Sequence, residues 1–368
     1  MQQSKNFIVD KNLWTQAEQL ISQFSSQYLL ITDELIYERY KHFFSFTKNL
    51  LILKKQVKAN LDNVEFIIKK AQKIAVTHLV VFGSGTLNDV TKYAAYKLNL
   101  SYLVFASAPS MNGYLAANAS LHDGISKKTF TAKQVQYAFF DVDILSEAPL
   151  RLIKSGLGDS LASITIKLDW LLAKLLLDEK YAPDFFTELK NYEQQLFANI
   201  PALLNRDKQQ ISNLTYLLII AGQAMTDFGS SAPASQAEHI LAHLYEMNFP
   251  EQAEQFYHGE QIAVTTLYML RLQQKFLYNA QAPQLKALQL NFFAKEQTEQ
   301  KLKNLWSEIS AQLNEAALDE QELIALYEAA NLPKEPEDLG WSVKQLDRLS
   351  KDAQLYRERF TFLNLSLN

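Results

Sequence analysis

The chain has 368 residues, 48% of them hydrophobic and 21% charged, with a formal net charge of -4. That length exceeds one core and suits two domains, and the mild acidity excludes the clustered basic surface that nucleic acid requires. With no cysteine, disulfides, thiolate metal sites and a cysteine nucleophile are excluded too.

The opening stretch, MQQSKNFIVDKNLW, has no basic flank leading into a long apolar run, so no leader peptide is expected. No window stays apolar over the roughly eighteen residues that a membrane span needs, and a cytoplasmic protein is the expectation. Trp14, Ala17, Leu20, Ile21 and Phe24 recur at helical spacing. Residues 28–32 (YLLIT) and 49–53 (NLLIL) read as strands, and 62–76 as a helix with Val64, Ile67, Ile68, Ala71 and Ile74 on one stripe. Further strands are expected at 78–82 (HLVVF), 101–106 (SYLVFA) and 137–141 (YAFFD). Continuous apolar strands alternating with helices predict a buried parallel sheet covered on both faces. After about residue 150 the pattern turns helical, over APLRLIKSGLGDSLASITIKLDWLLAKLLL (148–177) and most of 182–228, 235–247, 259–281, 297–315, 318–330 and 342–358. The expected fold is therefore an α/β nucleotide-binding domain, 1–150, followed by an all-α domain, 151–368. The basic pairs Lys54–Lys55 and Lys127–Lys128 read as solvated faces.

Ligands of such sheets bind at the carboxyl ends of the strands, where Asp33, Gly83 and Ser107 fall. Gly83-Ser84-Gly85-Thr86 ends one strand and opens a helix. Glycines permit close approach there, and helix N–H groups favour an anion. This is neither GxGxxG nor a Walker A loop, so a structural turn is an equal reading. A second loop, SAPSMNG (107–113), follows the next strand, and the two together favour a nucleotide. Asp33 could hydrogen-bond a ribose, or form a turn.

Three of the six histidines, His239, His243 and His258, fall within twenty residues. His239 and His243 are four apart and share one helix face. Three protein ligands with an open position make a catalytic metal site. Asp159 in GLGDSLA is the candidate carboxylate, with helix capping as its alternative role.

Several stretches together carry a family resemblance: GSGTLNDVTKYAAYK, SAPSMNGY, DVDILSEAPLRLIKSGLGDSLA, PASQAEHILAH, HGEQIAV, PEDLGW and RERFTFLNL. The chain resembles the iron-containing alcohol dehydrogenase and dehydroquinate synthase superfamily, and within it the bacterial branch of the glycerol-1-phosphate dehydrogenases. The resemblance implies that Gly83, Ser84, Gly85, Thr86 and Leu87 wrap a cofactor pyrophosphate, with Ser107 and Ser110 also on the cofactor. It implies that Asp159, His239 and His258 hold one divalent metal, zinc or nickel ahead of iron, and that Asn112 and His243 face the substrate. The implied reaction interconverts glycerol 1-phosphate and dihydroxyacetone phosphate with NAD or NADP. The implied partners are a small polyol or polyol phosphate and a second copy of the chain.

The sequence departs from the family pattern at five places. Asn112 stands where an aspartate is usual, Ala116 for a serine, Ala232 for an arginine, Gln236 for a glycine and Ser107 for a threonine. A changed substrate and a non-catalytic nucleotide- or metal-binding protein are therefore further readings. So is a dehydroquinate-synthase-like cyclase, although Asp159 rather than glutamate as first ligand favours the dehydrogenase.

Overall fold

The computed structural model describes residues 6–54, 57–124, 127–286 and 294–367. Lys55, and residues 1–5 of the opening stretch, lie outside them. The chain forms two compact units. Unit 1 comprises Met1–Gly156 with Tyr192–Asp227, and unit 2 comprises Leu157–Asn191 with Phe228–Asn368.

Unit 1 is built on a parallel sheet. Its elements run β1 (Phe7–Asp10), α1 (Ala17–Ser22), β2 (Tyr28–Asp33), α2 (Glu34–Tyr40), β3 (Leu50–Leu53), α3 (Leu61–Ile74), β4 (His78–Gly83), α4 (Gly85–Leu98), β5 (Ser101–Ala106), β6 (Asn118–His122), β7 (Lys127–Thr131), β8 (Tyr137–Asp141) and α5 (Val142–Glu147). Among the described residues the sheet has six strands in the order β1-β8-β5-β4-β2-β3. Leu79, Val80, Val81 and Phe82 of β4 are fully buried, each contributing about 1.5–3 kcal/mol relative to exposure. Trp14 closes one face, its ring stacked 4.2 Å from that of Phe82 and edge-on to that of Phe105 at 4.7 Å. The parallel sheet is as the sequence predicts. Two features are not: β1, whose partner β8 lies far along the chain, and the antiparallel β6–β7 hairpin. Both are short, and neither is apolar throughout.

The chain reverses its direction across the sheet between β2 and β4. From β2 it steps outward to β3, then returns to the other side of β2 and continues through β4, β5 and β8. At such a switch point the loops beyond the carboxyl ends diverge and leave a crevice.

A buried lysine shapes the loop after β5. Lys92, on α4, has a fully buried side chain whose Nζ donates to the carbonyls of Gly113 (2.6 Å) and Asn118 (2.9 Å). Asp89, one turn earlier, lies 3.7 Å from Nζ and accepts the Ser120 N–H at 3.0 Å. Burial pushes the Asp89 carboxyl up and the Lys92 amine down, and each charge partly offsets the other's shift.

The remaining helices are α6 (Leu150–Leu161), α7 (Ser163–Leu177), α8 (Pro183–Phe197), α9 (Ile200–Leu204), α10 (Lys208–Phe228), α11 (Ala237–Asn248), α12 (Pro250–Ala253), α13 (His258–Leu277), α14 (Lys295–Ala316), α15 (Glu320–Ala330) and α16 (Val343–Asp352). The core of unit 2 joins Leu168, Leu241, Val264, Leu313 and Leu346. Tyr245 and Trp341 stack within it at 3.7 Å. Unit 2 is largely helical but not wholly so: β9 (Gln284–Leu285) pairs antiparallel with β10 (Leu365–Ser366). None of the described helices is long and apolar enough to cross a membrane.

Replacing Lys92 by methionine leaves Asp89 buried without its cation. Lys92→Met is expected to lower the stability of unit 1 by about 3–5 kcal/mol. Urea unfolding followed by circular dichroism measures this, and an unchanged midpoint would contradict the strut.

Candidate metal centre and nucleotide loops

One glycine allows the helices that carry the acidic and basic donors to meet. A Cβ on Gly158 would overlap the carbonyl of Gly259. That approach of α6 to α13 places the neighbours of these glycines, Asp159 and His258, together. His239, in the first turn of α11, completes the group. His239 Nε2 lies 3.4 Å from Asp159 Oδ1 and His258 Nε2 lies 3.9 Å from it. One donor atom from each residue falls within 4.8 Å of the others.

The donor set suits a metal ion. Donors about 2.0–2.2 Å from a tetrahedral ion stand about 3.3–3.6 Å apart, close to the spacing seen here. Imidazole and carboxylate together suit zinc, nickel or iron. The side chains of Asp159 and His239 are 0% and 5% exposed, that of His258 28%, so the group is closed on one side and open on the other.

Glu238 was not singled out by sequence. Its Oε1 accepts from His239 Nδ1 at 2.8 Å and from the Gln236 N–H at 2.8 Å, while Thr165 Oγ1 donates to Oε2. A carboxylate that accepts from Nδ1 leaves the Nε2 lone pair for a ligand, the arrangement that orients metal-bound histidines. Burial opposes charge on His239, but the carboxylates of Asp159 and Glu238 outweigh it and hold its pKa up at about 9. A divalent cation held there would take the place of the proton on His239 Nε2 and match the charge of the two buried carboxylates, Asp159 and Glu238. Asp169 steadies the start of α11 by accepting from Ala237 N–H, and its other oxygen accepts from Phe362 N–H. Burial, then the charge of Glu238, raises its own pKa to about 7.

His243, one turn beyond His239, joins the group: its ring centroid lies 5.9 Å from that of His258 and 6.3 Å from that of His239. Its Nδ1 lies 3.1 Å from Arg357 Nη2. A guanidinium only donates, so Nδ1 is the acceptor, and the neutral ring carries its proton on Nε2. The loop before α11 is held by the same C-terminal stretch. Arg357 Nη1 donates to Ser235 Oγ at 3.3 Å, and Arg359 donates to the Ser235 carbonyl and, at 3.1 Å, to Ser231 Oγ. Two of the departures from the family pattern are partners here, since Gln236 Nε2 donates to the Ala232 carbonyl at 2.9 Å.

The remaining sequence-predicted residues lie in unit 1. Gly83 ends β4, Ser84 precedes α4 with extended backbone, and Gly85, Thr86 and Leu87 form its first turn. Leu87 is buried, so only its backbone is offered to a ligand. The two loops leave adjacent strands: Gly83 pairs in register with Ala106, and Ser107 N–H donates to the Gly83 carbonyl at 3.0 Å. Ser110 is buried, and its carbonyl accepts from Ser155 Oγ at 3.3 Å. Asn112 opens a single 3-10 turn, Asn112–Tyr114, against α10, where a Cβ on Gly222 would overlap its carbonyl. Asp33, at the end of β2, caps α2 by accepting the Ile36 N–H at 2.9 Å. Ala116 is fully buried, so a hydroxyl there would need a partner of its own.

Comparison with known proteins decides the family. A family model described as iron-containing alcohol dehydrogenase matches residues 9–149. The glycerol-1-phosphate dehydrogenase (NAD(P)+) of Sulfolobus acidocaldarius is 31% identical over 250 residues, covering 66% of this chain and 69% of the relative. The chain belongs to the glycerol-1-phosphate dehydrogenase family. A bacterial member, from Geobacillus thermodenitrificans, is 28% identical over 290 residues, 78% of this chain and 71% of its own. The Metallosphaera sedula enzyme is 34% identical over 213 residues, and the match spans 59% of its length. Solved structures show the fold: maleylacetate reductase of Rhizobium sp. aligns with a TM-score of 0.66 at 11% identity, over 96% of this chain and 91% of that one. Glycerol dehydrogenase of Schizosaccharomyces pombe aligns at 0.59 and 15% identity, over 97% and 93%.

Removing the carboxylate behind His239 frees its ring to turn. Glu238→Gln is expected to weaken zinc binding about tenfold to a hundredfold, read by competition with a chromophoric chelator. Unchanged affinity would remove Glu238 from the metal centre. Gly158→Ala, which forces α6 away from Gly259, is expected to weaken zinc binding as well, at unchanged helix content by circular dichroism.

Proposed function

We propose that this chain is a metal-dependent NAD(P) oxidoreductase that interconverts sn-glycerol 1-phosphate and dihydroxyacetone phosphate. The observation that carries the reading is the convergence of Asp159, His239 and His258, with Glu238 behind His239 and His243 beside it. Asp159, His239 and His258 would hold one divalent metal, zinc or nickel ahead of iron. Bound there, the ion supplies Lewis acidity to a substrate oxygen.

The chain's own residues supply the rest. His243 presents the proton on Nε2 to the substrate, and Asn112 offers a neutral amide to a substrate hydroxyl. The backbone from Gly83 to Leu87 cradles the cofactor pyrophosphate at the start of α4, with Ser107 and Ser110 on the neighbouring loop. Asp33, at the end of β2, is the candidate for the adenosine ribose. The switch point between β2 and β4 supports nucleotide binding at these loops. In the oxidative direction the secondary alcohol loses a proton from oxygen and a hydride from carbon. NAD(P)+ takes the hydride, and the ketone, NAD(P)H and a proton result.

The deciding experiment is oxidation of NADH and of NADPH by dihydroxyacetone phosphate, in apoprotein reloaded separately with zinc, nickel and iron. Metal-dependent turnover is expected, and His258→Ala should lose metal and turnover together. Turnover that survives in His258→Ala with metal retained would refute this metal centre.

A further inference from the structure

Two guanidiniums converge on one loop beside the histidine cluster. Arg357 and Arg359 both come from the segment after α16 and both reach the stretch Ser231–Ser235. Their charges repel: burial, and then the charge of Arg357, hold the Arg359 guanidinium down at about 10. Placing two like charges in a half-buried setting is costly unless an anion joins them.

The two arginines are engaged differently. Arg359 spends both named bonds on the loop itself, on the Ser235 carbonyl and the Ser231 hydroxyl, and the charges of Glu238, Glu179 and Asp169 support it. It is a strut. Arg357 donates to Ser235 Oγ and His243 Nδ1, and Tyr356 and the charge of Glu238 act on it as well. Those bonds fix the plane of a group with five donors. Its location is the second point. Arg357 touches His243, and His243 lies beside His258, so the guanidinium is one imidazole removed from the metal-binding donors. An oriented guanidinium matches the paired oxygens of a phosphate.

We propose that Arg357 binds the phosphate of the substrate and so sets the preference for a phosphorylated over a free polyol. The inference rests on the reading of the adjoining cluster as a polyol-phosphate site. Ala232 brings no cation to this loop, and the C-terminal segment supplies it from the other side. A phosphate on Arg357 also relieves the repulsion with Arg359. Because the same guanidinium donates to His243 Nδ1, phosphate binding and the orientation of His243 are coupled through one side chain.

The test compares the zinc-loaded full chain with Arg357→Met and Arg357→Lys, each checked for zinc content and thermal midpoint. The readout is the ratio of kcat/KM for dihydroxyacetone phosphate to that for dihydroxyacetone. This ratio cancels any loss shared by both substrates through His243. In Arg357→Met it is expected to fall about tenfold to a hundredfold, through KM for the phosphate ester. Arg357→Lys, which keeps the charge but not the fork, should fall less. It carries the test if the methionine variant does not fold. Inorganic phosphate should compete with dihydroxyacetone phosphate in the parent and much less in the variant. A ratio that stays constant while both substrates lose equally overturns the proposal and leaves Arg357 as a positioning residue for His243. A rise confined to KM for NADH or NADPH overturns it by moving the phosphate to the cofactor. If the parent turns over neither ketone, the dehydrogenase reading falls, and calorimetric titration with inorganic phosphate judges Arg357 separately. Binding that the parent has and Arg357→Met lacks upholds the phosphate site; equal binding, or none, refutes it.

Discussion

The carboxylate of Asp159 is fully buried between two imidazoles, and the candidate centre depends on keeping it there. A buried charge is tolerated only with close, well-directed partners. His239 and His258 come from different helices, so their approach to Asp159 has to be enforced by backbone packing. Gly158 does this. The absence of a Cβ at Gly158 lets the two helices touch one residue away from each ligand. Glu238 then fixes the ring of His239 from behind, and Thr165 and the Gln236 N–H fix Glu238. The candidate metal centre is therefore the outermost layer of a polar network whose inner members are fully buried.

The C-terminal stretch Arg357–Phe362 ties into that same network. Phe362 N–H bonds Asp169, whose other oxygen holds the first residue of α11. Arg357 and Arg359 fasten the loop that leads into α11. The helix that carries His239 and His243 is thus positioned at its start by residues more than a hundred places later in the chain. Within that loop Gln236 also donates to the Ala232 carbonyl.

Unit 1 solves a parallel problem with a cation. The two candidate nucleotide loops follow adjacent strands, but the second has only the Asn112–Tyr114 3-10 turn within it. Lys92 braces it, by carrying three donors from α4 to the carbonyls on its far side, with Asp89 and Ser120 tying in the hairpin. Gly222 permits α10 to close against Asn112. The loop's shape is set by these contacts and not by its own composition.

The sequence by itself determined the parallel sheet, the helical nature of the later chain, and the identity of Asp159, His239, His243 and His258 as candidates. Those features rest on local periodicity, on residue chemistry and on the ordered stretches of the family, all of which are written along one dimension. It did not reveal β1, whose four residues are defined by a partner more than a hundred positions away, or the polar β6–β7 hairpin. Nor did it single out Glu238, whose adjacency to His239 was visible but whose inward direction was not. Arg357 opens the stretch RERFTFLNL, which carries no signal of what it touches. The tertiary structure alone decided which helices meet, where the chain reverses across the sheet, which nitrogen of His243 carries the proton and which cation faces it. Each of these depends on packing between segments remote in sequence, where close approach, burial and the direction of a donor are properties of the folded chain only.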